Sequence, residues 1–291
     1  MYKIAQNYFW KMMASILSKP KLIYGTAWKK DDTAAFVEQA IVCGFRAIDT
    51  ACQPKHYNER GVGDAIDSVM KKYGLHREEL FIQTKFTPVS GQDHNMPYNQ
   101  TAPVYMQVQE SIARSLQNLR TTYVDSLVLH SPYPDYADTL TAWRSMEEVH
   151  IQGKARQLGI SNTYDLTTLK KLYADASVKP RVVQNRFYAE SNYDTELRAW
   201  CQERDIRYQS FWTLTANPHL LQHPILTKAA ETLKKTTPQI LFRYLIQRNV
   251  DPLTGTKSAT HMKEDLEVLN FSLDERTVSA INALLSESSP S

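Results

Sequence analysis

Cysteine is scarce in this 291-residue chain. The three present, Cys43, Cys52 and Cys201, form no even set and show no metal-ligand spacing. A disulfide framework and a zinc module are both excluded on that ground, and a reducing, intracellular setting is expected. No apolar run reaches the length needed to cross a bilayer, so a membrane partner is not expected. A large excess of positive charge is lacking too: the formal balance is only +3, which argues against nucleic acid as the main partner. No G-x-G-x-x-G fingerprint occurs. Gly61-Val-Gly63 lacks the third glycine and does not directly follow a strand, so it reads as the opening of a helix and not as a dinucleotide loop. His219 and His223 lie four apart, but no Glu stands between them and Pro224 follows at once. They read as a surface or core pair, and no metal site is expected.

Acidic residues are absent from the first 30 positions, which instead carry Lys3, Lys11, Lys19, Lys21, Lys29 and Lys30. Phe9, Met12, Met13, Ile16 and Leu17 recur there at helical spacing. Residues 1–20 read as an amphipathic extension covering the bottom of the fold. The other reading is an organelle-targeting peptide, although such peptides favour Arg and this stretch has none.

The rest of the composition is globular, with 42% hydrophobic and 22% charged residues. A chain of this size buries roughly 75% of its unfolded surface, and its length suits one α/β barrel. Short runs rich in Ile, Val, Phe and Tyr alternate with segments of helical periodicity. The runs are Leu22 to Gly25, Phe45 to Asp49, Phe81 to Lys85, Val124 to His130, Ala155 to Ile160, Val182 to Asn185, Ile206 to Phe211 and Val250 to Thr256. The last is weak, because Pro252 and Gly255 are poor strand residues. Between them lie helical segments such as Asp32 to Cys43, Val104 to Leu119 and Pro238 to Arg248. No linker interrupts the alternation. The expectation is a single (β/α)8 barrel over about 22–285, with an N-terminal extension and a long loop after the third strand. That loop, Thr87 to Pro103, is polar and turn-rich. It reads as a flap over the site or as a disordered insertion.

Polar residues end these strands. Asp49 closes the second run, and Tyr57, Asn58 and Glu59 follow before a helix start. Lys85 closes the third run and His130 the fourth. In a barrel, neighbouring strand ends share the face where active sites are built. A strand-end Asp that caps its loop and a Tyr that fills a crevice would be the alternative account.

This set resembles the aldo-keto reductase signature, and the resemblance extends from about Gly25 to Leu285. Here the interval from Asp49 to Tyr57 is longer than the family's, with extra residues between Cys52 and His56, and Tyr57 abuts Asn58 directly. The resemblance implies Tyr57 as proton donor, Lys85 and Asp49 as the pair that tunes it, and His130 as the group that polarises a carbonyl. The chemistry requires such types: an alkoxide formed by hydride addition must be protonated, and an ammonium beside a phenol is expected to lower its pKa.

The same resemblance supplies a nicotinamide site. Ser161, Asn162 and Gln184 match the partners of the carboxamide. Phe211 falls at the stacking aromatic, with Trp212 as a rival, and Leu214 at a phosphate-loop position. Gly25 and Thr26 end the first strand in the family's manner. Lys257 and Ser258 match a pair that grips the adenosine phosphate. His261, Glu264 and Asp265 resemble the family's Arg-x-x-Glu-Asn, with His261 in place of Arg and Asp265 in place of Asn. NADPH is therefore expected over NADH. Trp28, Tyr57, His130 and Trp212 are the expected substrate contacts, with Phe86 and Tyr133 as further candidate liners. Thr87 sits where related enzymes often have a tryptophan. The implied activity is NAD(P)H-dependent reduction of an aldehyde or ketone by a cytoplasmic monomer. The rival reading is a non-catalytic relative that binds the nucleotide to sense redox state or to dock on a partner.

Overall fold

The structure, a computed structural model, describes residues 21–287; the lysine-rich extension lies outside them. Each expected run matches one strand, with β3, β5 and β6 reaching one residue further than expected: β1 (Ile23–Gly25), β2 (Ala47–Asp49), β3 (Phe81–Phe86), β4 (Ser126–Leu129), β5 (Leu158–Ser161), β6 (Val182–Arg186), β7 (Arg207–Phe211) and β8 (Val250–Thr254). They form one closed parallel barrel in sequence order. The strands read as near-continuous apolar runs because both faces are covered, one by the barrel interior and one by helices. β8 forms despite Pro252. The proline removes one ladder donor, but β8 has partners on both sides: Tyr208↔Val250 on β7 and Ile23↔Leu253 on β1.

The helix α1 (Thr33–Cys43) follows β1, and α2 (Glu59–Tyr73) follows β2. The Asn58 side chain accepts from Gly61 N at 2.9 Å and so caps α2. Gly63 belongs to the helix and is no nucleotide loop. A Cβ there would stand 2.1 Å from the Asn118 carbonyl oxygen at the end of α3 (Val104–Leu119), so only glycine lets the two helices meet.

Side chains alternate along each strand, which stacks the barrel interior in layers. Ile23, Ala47 and Phe81 with Leu253 fill the bottom. Above them Asp49, Gln83, Gln184 and Gln209 form a polar layer. Lys85 stands above that, two residues beyond Gln83.

The segment 87–103, expected as a flap, packs along β3, α3 and the loop before Tyr57, where Gln53 donates to the Gly91 carbonyl at 2.6 Å. Tyr98 donates its hydroxyl to the Thr87 carbonyl at 2.7 Å and packs on Phe86 with ring centres 5.6 Å apart. Gln92 donates to the Cys52 carbonyl at 2.9 Å, and Asn99 N donates to Glu110 at 2.7 Å. Among the described residues no helix is long and apolar enough to cross a membrane.

Candidate active site

The floor of the site is a buried ion pair. Asp49 and Lys85 end inward-facing positions on adjacent strands, and the Lys85 ammonium lies 2.5 Å from Asp49 Oδ2. Lys85 also donates to the Thr50 carbonyl at 2.9 Å, which leaves one of its three N–H groups for the space above. The other Asp49 oxygen, Oδ1, accepts from Gln83 at 2.8 Å and Gln184 at 3.1 Å. A carboxylate and an ammonium taken out of water are held only by such complete pairing.

Tyr57 and His130 stand over this pair. The Lys85 ammonium lies 5.2 Å from the Tyr57 ring centre, and the Tyr57 and His130 rings meet edge to face at 6.0 Å. Burial, and then the Asp49 charge, push the Tyr57 phenol above its ordinary value. The expected lowering by Lys85 is therefore corrected: desolvation outweighs the ammonium, and the phenol keeps its proton. Burial also pushes the Lys85 ammonium down against the pull of Asp49. His130 is held well below the usual imidazole range by burial, then by the charges of Lys85 and His56, so it is neutral near pH 7.

These groups open into a cavity of about 1020 Å³ at the carboxyl end of the barrel. Its lining includes Gly25, Trp28, Asp49, Tyr57, His130, Ser161, Asn162, Gln184, Phe211, Trp212, Leu214, Lys257, Glu264 and Asp265, all anticipated from the sequence. His261 lines it as well. Three anticipated residues do not. Lys85 is wholly enclosed beneath Tyr57. Thr26 turns away from the cavity, its N–H and hydroxyl both donating to the Asp49 carbonyl, at 3.0 and 2.9 Å. The Ser258 hydroxyl accepts from His261 N at 3.3 Å and caps the helix Ala259–Glu267. Phe86 and Tyr133 also lie off the cavity. Phe86 follows Lys85 and so faces outward by the alternation of the strand, against Tyr98; Tyr133 packs on the core between barrel and helices.

Polar atoms at the middle of the cavity are partly committed. Ser161 donates its hydroxyl to the Gln184 carbonyl at 2.6 Å, and Asn162 donates to the His130 carbonyl at 2.8 Å. The Gln184 amide nitrogen is spent on Asp49 and on Gln209, at 2.9 Å from the latter. Its carbonyl oxygen remains an acceptor. At the far end, Asp265 accepts from Thr254 at 2.7 Å, and burial pushes its carboxyl up to about 6.

Several contributors were not anticipated. Thr87 Oγ1 lies 2.7 Å from His130 Nδ1 and so fixes the ring; the strand period puts Thr87 on the face of Lys85. His56 lines the cavity with its ring centre 3.8 Å from that of Trp28, while its backbone carbonyl accepts from Trp28 N at 2.8 Å. Lys29 donates to the Gly25 carbonyl at 2.8 Å and to the Gly255 carbonyl at 3.0 Å, and burial, with Lys257 nearby, lowers its pKa to about 8. Glu59, next to the cap Asn58, is buried and accepts from Thr84 at 2.5 Å, which ties α2 to β3. Away from the cavity, His219 lies 3.4 Å from the Tyr193 hydroxyl and His223 caps the helix that follows it.

Comparison with known proteins gives a consistent result. A glyoxal reductase of Bacillus subtilis is 32% identical over 249 residues, covering 85% of this chain and 82% of that one. A methylglyoxal reductase of Yersinia pestis is 28% identical over 254 residues, with 87% and 84% covered. The crystal structure of an aldo/keto reductase from Brucella melitensis superposes with a TM-score of 0.77 at 26% identity, covering 92% of this chain and 95% of that one. A Bombyx mori aldo-keto reductase in complex with NADP does so at 0.77 and 25%, covering 93% and 89%. Residues 21–286 match the sequence profile of the Aldo/keto reductase family, and the chain belongs to that family.

Proposed function

We propose that this chain reduces an aldehyde or ketone with NADPH, with Tyr57 as the proton donor. Family membership makes it an oxidoreductase of carbonyl compounds. The observation that carries the finer reading is the buried Lys85–Asp49 pair under Tyr57 and His130, on the floor of a cavity long enough to reach Lys257.

The residues present fit a nicotinamide nucleotide. A carboxamide offers both donors and an acceptor. The free Gln184 carbonyl would take one of its N–H groups, and Ser161 and Asn162 supply further oxygens and an amide. Phe211 offers a ring face beside them. Lys257 lines the other end, near the Phe36 ring at 5.6 Å, and forms no ion pair with any described residue. It would meet a phosphate. The nucleotide supplies a hydride to the carbonyl carbon. Everything else falls to the chain. The open nitrogen of His130 holds the substrate oxygen, with Nδ1 engaged by Thr87. Tyr57 gives that oxygen its proton as charge develops. The Lys85 ammonium, fixed by Asp49, then stabilises the phenolate left behind. A panel of carbonyl compounds assayed with NADPH and NADH tests the reading, and total inactivity would overturn it. Dicarbonyl aldehydes belong first in that panel, since two relatives are named for glyoxal and methylglyoxal.

The electrostatics set a pH expectation. His130 gains a proton only well below its usual range, and Tyr57 loses its proton only above the ordinary phenol value of about 10. With NADPH saturating, kcat/KM should be level from about pH 6 to about pH 9. A bend near pH 7 would show that one of these groups titrates inside that window.

Cofactor choice rests on Lys257. A charge-assisted hydrogen bond contributes roughly 1.5–3 kcal/mol, about ten- to a hundredfold in affinity. Lys257→Met should weaken NADPH binding by that factor and leave NADH binding unchanged in fluorescence titrations. Equal losses for both nucleotides would remove Lys257 from the 2′-phosphate.

A further inference from the structure

Arg186 ends β6 two residues after Gln184, so both side chains leave the strand on the inward face, and Arg186 lines the cavity. Its guanidinium carbon lies 4.3 Å from the Trp212 ring centre and 5.2 Å from that of Tyr188. The backbone is pinned as well, since Arg186 N donates to the Tyr164 hydroxyl at 3.2 Å and Tyr164 meets Tyr188 edge to face at 5.9 Å. The aromatic faces fix the plane of the guanidinium fork before any ligand arrives.

What the fork lacks is an acceptor. Arg186 forms no side-chain hydrogen bond and no ion pair with any described residue, and its Nε is enclosed with nothing to donate to. The buried cations beneath and beside the cavity differ: Lys85 has Asp49, and Lys29 has two carbonyl oxygens. Asp194 is turned to other partners, its Oδ2 accepting from Asn185 at 2.6 Å and from Tyr208 at 2.8 Å. Five N–H donors carrying a permanent charge, presented beside an apolar ring and left without a counter-ion, are suited to one kind of guest.

We propose that Arg186, backed by Trp212, is an oxyanion-binding subsite of the cavity, made for the paired oxygens of a phosphate or carboxylate. The proposal rests on the nucleotide-and-carbonyl reading above. Two ligands can bring that chemistry. One is the diphosphate bridge of the dinucleotide, since Trp212 lies between Phe211 and Leu214. The other is the carboxylate of an oxo-acid substrate.

Two variants separate them: Arg186→Met, which keeps an apolar contact with Trp212 and drops the charge, and Arg186→Lys, which keeps the charge and loses the fork. Unchanged melting temperatures establish that both fold. Without any carbonyl present, fluorescence titration gives dissociation constants for NADPH, NADH and reduced nicotinamide mononucleotide, which has no diphosphate. If the diphosphate is held, Arg186→Met weakens NADPH and NADH alike by about ten- to a hundredfold, weakens the mononucleotide much less, and Arg186→Lys falls between. With NADPH saturating, KM is compared for 4-oxobutanoate and butanal. If a substrate carboxylate is held, KM rises by a similar factor for the acid alone. No change in either set overturns the subsite. Should the unaltered protein bind no nicotinamide nucleotide, the reading of the cavity fails, and calorimetry with inorganic diphosphate decides Arg186 alone: weaker binding by Arg186→Met upholds the subsite, and equal binding overturns it.

Discussion

Tyr57→Phe should lower kcat for carbonyl reduction by about 10²–10⁴, the usual cost of removing a general acid, while the dissociation constant for NADPH stays within about twofold of the parent. The ring remains to fill its place between His130 and the Lys85 ammonium, so the variant subtracts one hydroxyl and little else. His56→Ala is the necessary companion. The extra residues before Tyr57 bring His56 to the same cavity, against Trp28. An imidazole there is a credible rival proton source on chemistry alone. Burial and the charge of Lys55, however, lower its pKa, which makes it a poorer store of protons near neutrality. The expected order is a large loss for Tyr57→Phe and a small one for His56→Ala, measured as single-turnover rates. The reverse order would move the acid by one residue.

Lys85→Met should cost stability as well as turnover. It leaves the Asp49 carboxylate buried with only the Gln83 and Gln184 amides to hold it. Breaking a buried ion pair from one side costs about 3–5 kcal/mol. The double variant Lys85→Met with Asp49→Asn removes both charges and should recover most of that loss. Its activity should not recover, because the phenolate of Tyr57 would still have no cation beneath it. Urea midpoints for the parent, both single variants and the double variant measure the coupling. Additive effects would mean that the pair contributes nothing as a pair. Recovered turnover in the double variant would mean that the charge is dispensable for the chemistry.

The barrel was legible because the chain alternates short apolar runs with amphipathic segments, and because length and composition agree. The strand ends were legible for a related reason. Asp49, Lys85 and His130 are polar residues closing apolar runs, which a buried strand rarely tolerates without purpose. Arg186, and the contact of Thr87 with His130, were missed although the alternation of strands reaches both residues. Each lies two residues beyond an anticipated residue, Lys85 or Gln184, and so shares its face. Carrying the period one step past the apolar run would have placed both at the rim. The fold of 87–103 was not legible. Its polarity suggested a solvated flap, but Tyr98 and Gln92 satisfy backbone carbonyls on the flank, and nothing local in the sequence reveals such distant acceptors. Nor was the direction of the Tyr57 shift. It depends on how completely the ring is enclosed, and enclosure is a property of the assembled barrel.

The seam of the barrel joins β1 to β8, strands from opposite ends of the described chain, at Ile23↔Leu253 and Tyr24↔Thr254. As the chain leaves the ribosome, seven strands must wait for the eighth, with the free edges of β1 and β7 exposed to any other extended chain. Ring closure is a non-local step and therefore a slow one. Pro252 bears on this interval. A strand that lacks one ladder donor is a poor template for pairing with a stranger, yet it suffices in a groove already flanked on both sides. Lys29 then fastens the seam from above by holding the Gly25 and Gly255 carbonyls together. Because Gly25, Gly255 and Lys257 all border the cavity, a guest bound there would sit on the same join, and by binding only the closed ring it would oppose its reopening.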